Sequence, residues 1–343
     1  MSEFAARLID WQRRHGRHDL PWQRTRDPYR VWLSEIMLQQ TQVATVIPYY
    51  QRFLSRFPTL AELAAAPRDE VMALWSGLGY YARARNLHLC AQTIVSRYGG
   101  EFPREPEAIA RLPGIGRSTA NAIAVFCFGA RQPILDGNVK RLLCRFLGIE
   151  GHPGQPAIES RLWQHGTALL PEQDVATYIQ AQMDLGATVC TRSKPRCAEC
   201  PLADLCLAYQ QGRMAELPTP RPKRSLPERR VTLLVLRQGE QLALEERPPA
   251  GIWGGLLSLP ELPEGADVVP YGKQRFGLSI AAVAPAPTLE HTFTHFRLRI
   301  APLICDVVAH HGVAESRLRW LERAKLTQAP LPAPIRKLLN ETL

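Results

Sequence analysis

The residues from 112 to 140 combine a candidate phosphate-binding turn with a carboxylate placed about twenty positions further on. The turn is LPGIG, in which Gly114 and Gly116 can adopt backbone conformations closed to other residues. Its amides, with those of the helix start that follows, can bind a phosphate oxygen. Asp136 then stands next to a glycine, shortly before the basic Lys140. This order suggests an enzyme that holds a nucleic-acid backbone and acts on the sugar beside it. The alternative is a helix hairpin with a solvated aspartate.

Glu35 is the candidate for a second catalytic carboxylate. It lies one turn from Val31 and Leu38, on a partly apolar face of a helix that we predict to start after Tyr29. A glutamate there is either an exposed edge residue or a desolvated acid with a raised pKa. Gln40 and its neighbouring glutamines offer uncharged amides suited to hydrogen-bonding bases, although they could equally form a solvated helix face.

Four of the eight cysteines crowd into seventeen positions, with spacers of six, two and five residues. Four thiolates this close in an intracellular chain indicate a metal site more often than disulfides. Zinc sites usually pair two short CxxC knuckles, whereas this segment has one. The proposed ligands are Cys190, Cys197, Cys200 and Cys206. The isolated cysteines, which we expect to be buried thiols, are Cys90, Cys127, Cys144 and Cys305.

The segments LPGIGRSTA and PILDGNVKR resemble the helix–hairpin–helix and the catalytic aspartate of the endonuclease III superfamily of DNA glycosylases. Within that superfamily the chain is similar to the adenine DNA glycosylases of the MutY type, over nearly its whole length. The resemblance implies that Glu35 protonates N7 of adenine, that Asp136 supports C1′ of the deoxyribose, and that Asn138 holds the pair. It also implies that the four clustered cysteines bind a [4Fe–4S] cluster, one to each iron.

The same resemblance implies a set of DNA contacts. The residues expected to make them are Gln40, Tyr80, Leu112, Gly114, Gly116, Arg117, Ser118 and Lys140. Gln40 and Tyr80 are the candidates for filling the stack that a flipped adenine vacates. For Tyr80, the alternative is a helix-start loop with buried tyrosines. Ser118 stands where bifunctional relatives carry a nucleophilic lysine, so strand scission through a Schiff base should be absent or weak.

The sequence predicts two domains joined by a linker. The fold class is an all-α helix–hairpin–helix glycosylase fold with a [4Fe–4S] cluster loop, followed by an α+β MutT/Nudix-like domain. We place the helical domain at residues 1–212, the proline-rich, basic linker at 213–228 and the Nudix-like domain at 229–343. That domain lacks the glutamate-rich helix of active Nudix hydrolases, so we expect the fold without hydrolase activity.

The segment HTFTHFRLRI has two interpretations. By resemblance, Phe293, Thr294 and His295 form the loop that recognises 8-oxoguanine, with threonine where the family usually has serine. Alternatively, the segment is a single strand with His291, Phe293 and His295 alternating on one face.

Composition is compatible with a polyanionic partner. The formal net charge is +10 and the pI is about 9.4, with most of the excess in residues 1–225. The resemblance implies a monomeric enzyme that acts on double-stranded DNA with A:8-oxoguanine or A:G mispairs, and the absence of a long apolar run or a signal peptide leads us to expect a cytoplasmic location and no membrane partner. Two alternatives remain: a bifunctional glycosylase/lyase for oxidised pyrimidines, and a non-catalytic iron–sulfur protein that binds DNA or senses redox state.

Overall fold

The computed structural model describes residues 2–222, 225–248, 251–311 and 318–342. They form two compact units. The first comprises Met1–Ala64 and Leu89–Lys223, and the second comprises Ala65–His88 and Arg224–Leu343.

The first 212 residues are helical, as predicted. The helices are α1 (Glu3–His15), α2 (Pro28–Leu38), α3 (Val43–Arg56), α4 (Leu60–Ala65), α5 (Arg68–Trp75), α6 (Ala82–Tyr98), α7 (Pro106–Ala110), α8 (Arg117–Phe128), α9 (Gly137–Phe146), α10 (Pro156–Ala168), α11 (Val175–Thr188) and α12 (Leu207–Gln210). Asp27 caps α2 through its side chain and Pro28 occupies the first helical turn, which explains why this helix begins where it does.

The predicted helix–hairpin–helix is confirmed as α7, a turn and α8. Gly114 has a φ of 77°, a left-handed conformation that favours glycine. Gly116 is the N-cap of α8, so the first amides of that helix are not used within it. Gly129 ends α8 with a φ of 71°, a left-handed helix end that glycine favours.

The core of the first unit forms around α11, which packs against α1, α8 and α9. Its buried members include Leu8, Val139, Leu143, Tyr178 and Leu185. Burying a side chain of this size contributes about 1.5–3 kcal/mol, so these contacts are enough to fix the start of α9 against α11.

The described C-terminal residues form an eight-stranded sheet with two α-helices. Its elements are β1 (Glu228–Gln238), β2 (Gln241–Glu246), β3 (Leu257–Ser258), β4 (Glu261–Leu262), α13 (Val268–Phe276), β5 (Leu278–Pro285), β6 (Leu289–Thr292), β7 (Arg297–His310), β8 (Leu318–Glu322) and α14 (Ala333–Thr342). The main order is β3-β2-β1-β7-β5, and only the β1–β7 pair among the described strands is parallel. A tight turn directly after Gln238 joins β1 to β2.

Residues 65–88 belong to the second compact unit, although the sequence groups them with the helical domain. Asp69 of α5 pairs with Arg319 of β8 at 2.7 Å, and Arg85 donates to the carbonyl of Gly254. These partners are far away in sequence, so local periodicity gave no sign of them. The boundaries 1–212, 213–228 and 229–343 stay predictions.

The first part of the predicted linker is packed against the first unit. Leu217 is 2% exposed, and its carbonyl accepts a hydrogen bond from Nε of the buried Arg145 at 2.7 Å. Thr219 accepts from the amide of Gly151 at 3.0 Å. Leu217 and Thr219 of the predicted linker therefore have defined partners within the first unit. Lys223 and Arg224, also in that predicted linker, lie outside the described residues.

Within the described residues, no helix combines the length and apolar composition that crossing a membrane requires.

Candidate active site

Asp136 is held at the start of α9, where it serves as the N-cap. Its Oδ1 accepts from the amide of Val139 at 2.7 Å, and its Oδ2 accepts from the side-chain amide of Asn138 at 3.2 Å. Burial raises the pKa of Asp136 above its usual range, whereas the hydrogen bonds from Val139 and Asn138 oppose that rise. The carboxylate is thus fixed in orientation and its ionised form is supported by donors.

 Glu35 lies in the last turn of α2 and lines a cavity with an empty volume of about 1130 Å³, here called the Glu35 cavity. Burial and, to a smaller extent, the negative charge of Asp136 raise the pKa of Glu35 to about 7. The structure therefore brings the two predicted carboxylates together, and Glu35 is the desolvated acid rather than an exposed edge residue.

A buried aspartate organises the polar side of the Glu35 cavity. Asp184 of α11 is 0% exposed and accepts hydrogen bonds from the backbone amide and Nε of Arg17, at 2.9 and 2.8 Å. It also accepts from the side-chain amide of Gln180 at 2.9 Å. Arg17 and Gln180 both line the cavity, so Asp184 fixes the orientation of two groups that can hydrogen-bond a base.

Sequence reasoning missed these three residues. Gln180 and Asp184 are one turn apart on α11, but Arg17 is 167 positions from Asp184. The one-turn spacing of Gln180 and Asp184 was the signal that the sequence offered, and it does not identify the distant arginine.

A chain of hydrogen bonds leads from Asp136 to the cysteine loop. Asn138 donates to Asp136 and accepts at its Oδ1 from Nη2 of Arg141, at 2.8 Å. Arg141 also donates to the carbonyl of Cys190 at 2.7 Å and to that of Gly186 at 2.6 Å. The predicted role of Asn138 as a holder of the carboxylate stays a prediction, but its contact with Asp136 is present.

The four clustered cysteines line one cavity, whose empty volume is about 390 Å³. In the described part of the chain, no group of three or more His, Cys, Asp or Glu side chains is arranged to hold a single metal ion. A spread of thiols around a shared space suits a cluster in which each cysteine binds a different iron. The donor set therefore fits a [4Fe–4S] cluster better than a single zinc ion.

The cysteine loop is also tied to the helical core. The buried Arg145 donates to the carbonyls of Thr191 and Arg192, at 2.7 and 3.2 Å, and to Sγ of Cys190 at 3.4 Å. Arg192 and Lys194 are exposed on the outer side of the loop.

The hairpin residues differ in what they offer to a phosphate. Gly114, Gly116 and Arg117 are exposed, whereas Leu112 is 4% exposed, so only its backbone could contribute. The hydroxyl of Ser118 accepts from the amide of Leu135 at 3.0 Å, which ties the start of α8 to the segment before Asp136.

Lys140 is engaged within the protein. Its ammonium forms an ion pair with Glu159 at 2.7 Å, and its side chain is 23% exposed. Its predicted DNA contact would require this pair to open or to be shared with a phosphate.

Gln40 and Tyr80 are both exposed, and the backbone of each is in the left-handed region, with φ values of 57° and 48°. Few non-glycine residues adopt this conformation, and those that do cluster at functional sites. The alternative of a buried Tyr80 is wrong, because its exposed fraction is 48%.

Phe293, Thr294 and His295 lie in the turn between β6 and β7. The amide of Phe293 donates to the carbonyl of Phe296 at 2.9 Å, which closes the turn. The two rings stack with their centroids 4.7 Å apart. Thr294 and His295 are exposed. The single-strand interpretation is therefore wrong: His291 is in β6, and the chain reverses before β7.

Comparisons with known proteins agree with this arrangement. Residues 33–167 match the family model described as HhH-GPD superfamily base excision DNA repair protein. Residues 190–206 match the iron-sulfur binding domain of endonuclease III, and residues 231–341 match the NUDIX domain. The cofactor is accordingly a [4Fe–4S] cluster, and the fold is a helical glycosylase domain followed by a Nudix-like α/β domain.

Relatives cover most of the chain. It is 35% identical to the adenine DNA glycosylase of Buchnera aphidicola subsp. Acyrthosiphon pisum, across 98% of this chain and 97% of that protein. It is 44% identical to the adenine DNA glycosylase of Rattus norvegicus, across 64% of this chain and 44% of that protein. A solved thermostable thymine-DNA glycosylase is similar with a TM-score of 0.56 and 28% identity, across 61% of this chain and 95% of that one. On this evidence, the chain belongs to the adenine DNA glycosylase family.

Proposed function

We propose that this chain removes adenine paired with 8-oxoguanine or guanine from double-stranded DNA by hydrolysing its N-glycosidic bond. The observation that carries the proposal is the proximity of Glu35 and Asp136, whose negative charge contributes to the raised pKa of Glu35. The chain belongs to a base-excision family and is therefore a DNA N-glycosylase. Its specificity for these mispairs is the part that we propose.

The two carboxylates have different catalytic roles because their surroundings differ. Glu35, whose pKa is raised to about 7, retains a proton near neutral pH and donates it to the base. Asp136 accepts donors from Val139 and Asn138, so its ionised form is supported beside the sugar as positive charge develops there. Water then adds at C1′, and its proton returns to the carboxylate of Glu35. General acid catalysis of this kind contributes roughly 10²- to 10⁴-fold.

The adenine must leave the duplex to reach these groups, at an unstacking cost of a few kcal/mol. Arg17 and Gln180 can then hydrogen-bond its polar edge from the wall of the Glu35 cavity. Gln40 and Tyr80 are our candidates for filling the vacated stack, and the exposed hairpin amides for gripping the backbone.

The [4Fe–4S] cluster, when bound, supplies a crosslink among the four cysteines that fixes the loop carrying Arg192 and Lys194. The phosphate contacts of this basic loop support duplex binding without carrying sequence information.

Strand scission is not part of the proposal. Ser118 offers a hydroxyl, not an amine, and that hydroxyl is bonded to the amide of Leu135. The ammonium of Lys140 is paired with Glu159. Both features favour a monofunctional glycosylase over a bifunctional one. The monomeric state and the cytoplasmic location stay predictions.

The test is base release from A:8-oxoguanine, A:G and A:T duplexes by Glu35→Gln and Asp136→Asn. Each variant should lose at least about 10²-fold in the single-turnover rate while its dissociation constant for the duplex changes little. Glu101→Gln, at an exposed glutamate of the same unit, is the matched control and should behave as wild type. Substantial adenine release by either active-site variant would refute the assignment.

A further inference from the structure

The loop that carries Tyr80 is hydrogen-bonded to the end of the chain within the second unit. Ser76 directly follows α5, and its hydroxyl donates to the carbonyl of Leu331 at 2.8 Å. The same hydroxyl accepts from Nη2 of Arg336, on α14, at 3.3 Å. These contacts connect the base of the Tyr80 loop to residues about 250 positions later in the sequence.

Arg336 is itself firmly held. Its Nη1 donates to the carbonyls of Leu326 and Thr327 at 2.9 and 3.1 Å, and its Nη2 donates to that of Ala329 at 2.8 Å. Leu331 is 1% exposed. Ser76 is thus hydrogen-bonded to a buried segment that further hydrogen bonds hold in place.

Beyond Ser76 the loop adopts conformations that need support. Gly77, Gly79 and Tyr80 all have positive φ, at 101°, 72° and 48°. The indole of Trp75 donates to the carbonyl of Gly79 at 3.3 Å, and Arg83 donates to the same carbonyl at 3.1 Å. A left-handed tyrosine persists where its surroundings fix the backbone, so the anchoring of Ser76 bears on the direction in which Tyr80 points.

We propose that Ser76 and Arg336 are positioning residues for Tyr80, through which the C-terminal helix presets the loop that enters the base stack. This inference rests on the proposed function of Tyr80 as a residue that fills the stack vacated by adenine. A preset loop loses less conformational freedom when it inserts. The effect should therefore fall on extrusion of the base, because duplex affinity comes mainly from phosphate contacts.

The experiment measures extrusion directly in the full-length protein. The duplex carries 2-aminopurine at the adenine position opposite 8-oxoguanine, and Asp136→Asn is present in every variant to prevent excision. Ser76→Ala removes the hydrogen bonds to Leu331 and Arg336 and should slow the fluorescence rise about five- to ten-fold, with duplex affinity within about two-fold. Ser76→Thr, which keeps the hydroxyl, should restore the rate.

Asp69→Asn is the matched control. It breaks the ion pair between Asp69 and Arg319, which also ties α5 to the C-terminal residues but does not touch the Tyr80 loop. Its extrusion rate should equal that of the parent, whereas a loss as large as that of Ser76→Ala would show a general effect of α5 docking and overturn the proposal.

A double-mutant cycle with Tyr80→Ala completes the test. Tyr80→Ala alone should slow extrusion, and Ser76→Ala should then have no further effect, because both act through one side chain. Additive losses, or a Ser76→Ala variant with the parent rate, would overturn the positioning role and leave the proposed function standing. A Tyr80→Ala variant with the parent rate would refute the stack-filling role and this inference together.

Discussion

At the scale of single residues, the two carboxylates show how surroundings assign chemical roles. Burial raises the pKa of Asp136 and the hydrogen bonds from Val139 and Asn138 oppose that rise, whereas burial and the charge of Asp136 both raise the pKa of Glu35. A general acid is most effective when its pKa lies near the working pH. The value of about 7 for Glu35 meets that condition.

The first prediction concerns the pH dependence of excision. The single-turnover rate should fall as pH rises through about 7, because Glu35 loses its proton, and should fall at low pH as Asp136 becomes protonated. A pH–rate profile on A:8-oxoguanine duplex measures both limbs. A rate that stays constant well above pH 8 would contradict the assignment of Glu35 as the acid.

The same shift predicts a pH dependence of stability. The pKa of Glu35 is raised from 4.5 to about 7 on folding, so its contribution to stability is complete below about pH 4.5 and is lost as pH rises through about 7. At pH 8 Glu35→Gln should therefore be more stable than wild type, by roughly 3 kcal/mol, and the difference should vanish near pH 4. Denaturant titrations at both pH values test this, with Glu101→Gln as the control.

At the scale of elements, the approach of α11 to the start of α9 sets the position of Asn138. A Cβ at Gly186 would lie 2.5 Å from Cβ of Asn138, so only glycine allows this separation. Arg141 donates to the carbonyl of Gly186 from the same helix turn. The interface between the two helices thus places the residues that hold Asp136.

The second prediction is that Gly186→Ala displaces Asn138 and slows excision by on the order of 10- to 100-fold, as small misplacements of catalytic groups do. Overpacking should also lower the free energy of unfolding by about 1–3 kcal/mol. Gly166→Ala is the control, because its Cβ would lie 3.6 Å from Pro133, an ordinary contact. Equal rates for the two variants would show that this helix contact does not position the site.

Local spacing in the sequence predicted much of this site. Gly114, Gly129 and the cysteine spacing each depend on residues that are close in the chain, and their turns and shared cavity are present. The Arg17–Asp184 pair and the Ser76–Leu331 contact depend on residues far apart in sequence. Their side chains are ordinary at each position, so the partners emerge only when packing brings the segments together.

At the scale of the whole molecule, residues 65–88 affect how the result of a C-terminal truncation is interpreted, because their partners lie in the C-terminal residues. A chain that ends at residue 222 loses the turn of Thr294 and His295 and could be used to test whether that turn recognises the opposite base. It also loses the partners of Ser76, Asp69 and Arg85. Truncation therefore combines two effects, and point substitutions in the β6–β7 turn separate them.

The third prediction is that Thr294→Ala with His295→Ala reduces the preference for A:8-oxoguanine over A:G and leaves the melting temperature nearly unchanged. Both side chains are exposed in the turn, so their removal leaves the stacked pair Phe293 and Phe296 intact. Losing a good polar contact to the opposite base costs ~1–3 kcal/mol of discrimination. Truncation at residue 222 should lower both the preference and the melting temperature, because α5 and the Tyr80 loop lose their anchors. Rates on the two duplexes, with thermal melts, distinguish these outcomes. If the double variant kept the wild-type preference while the truncated chain lost it, the preference would depend on those anchors and not on the turn.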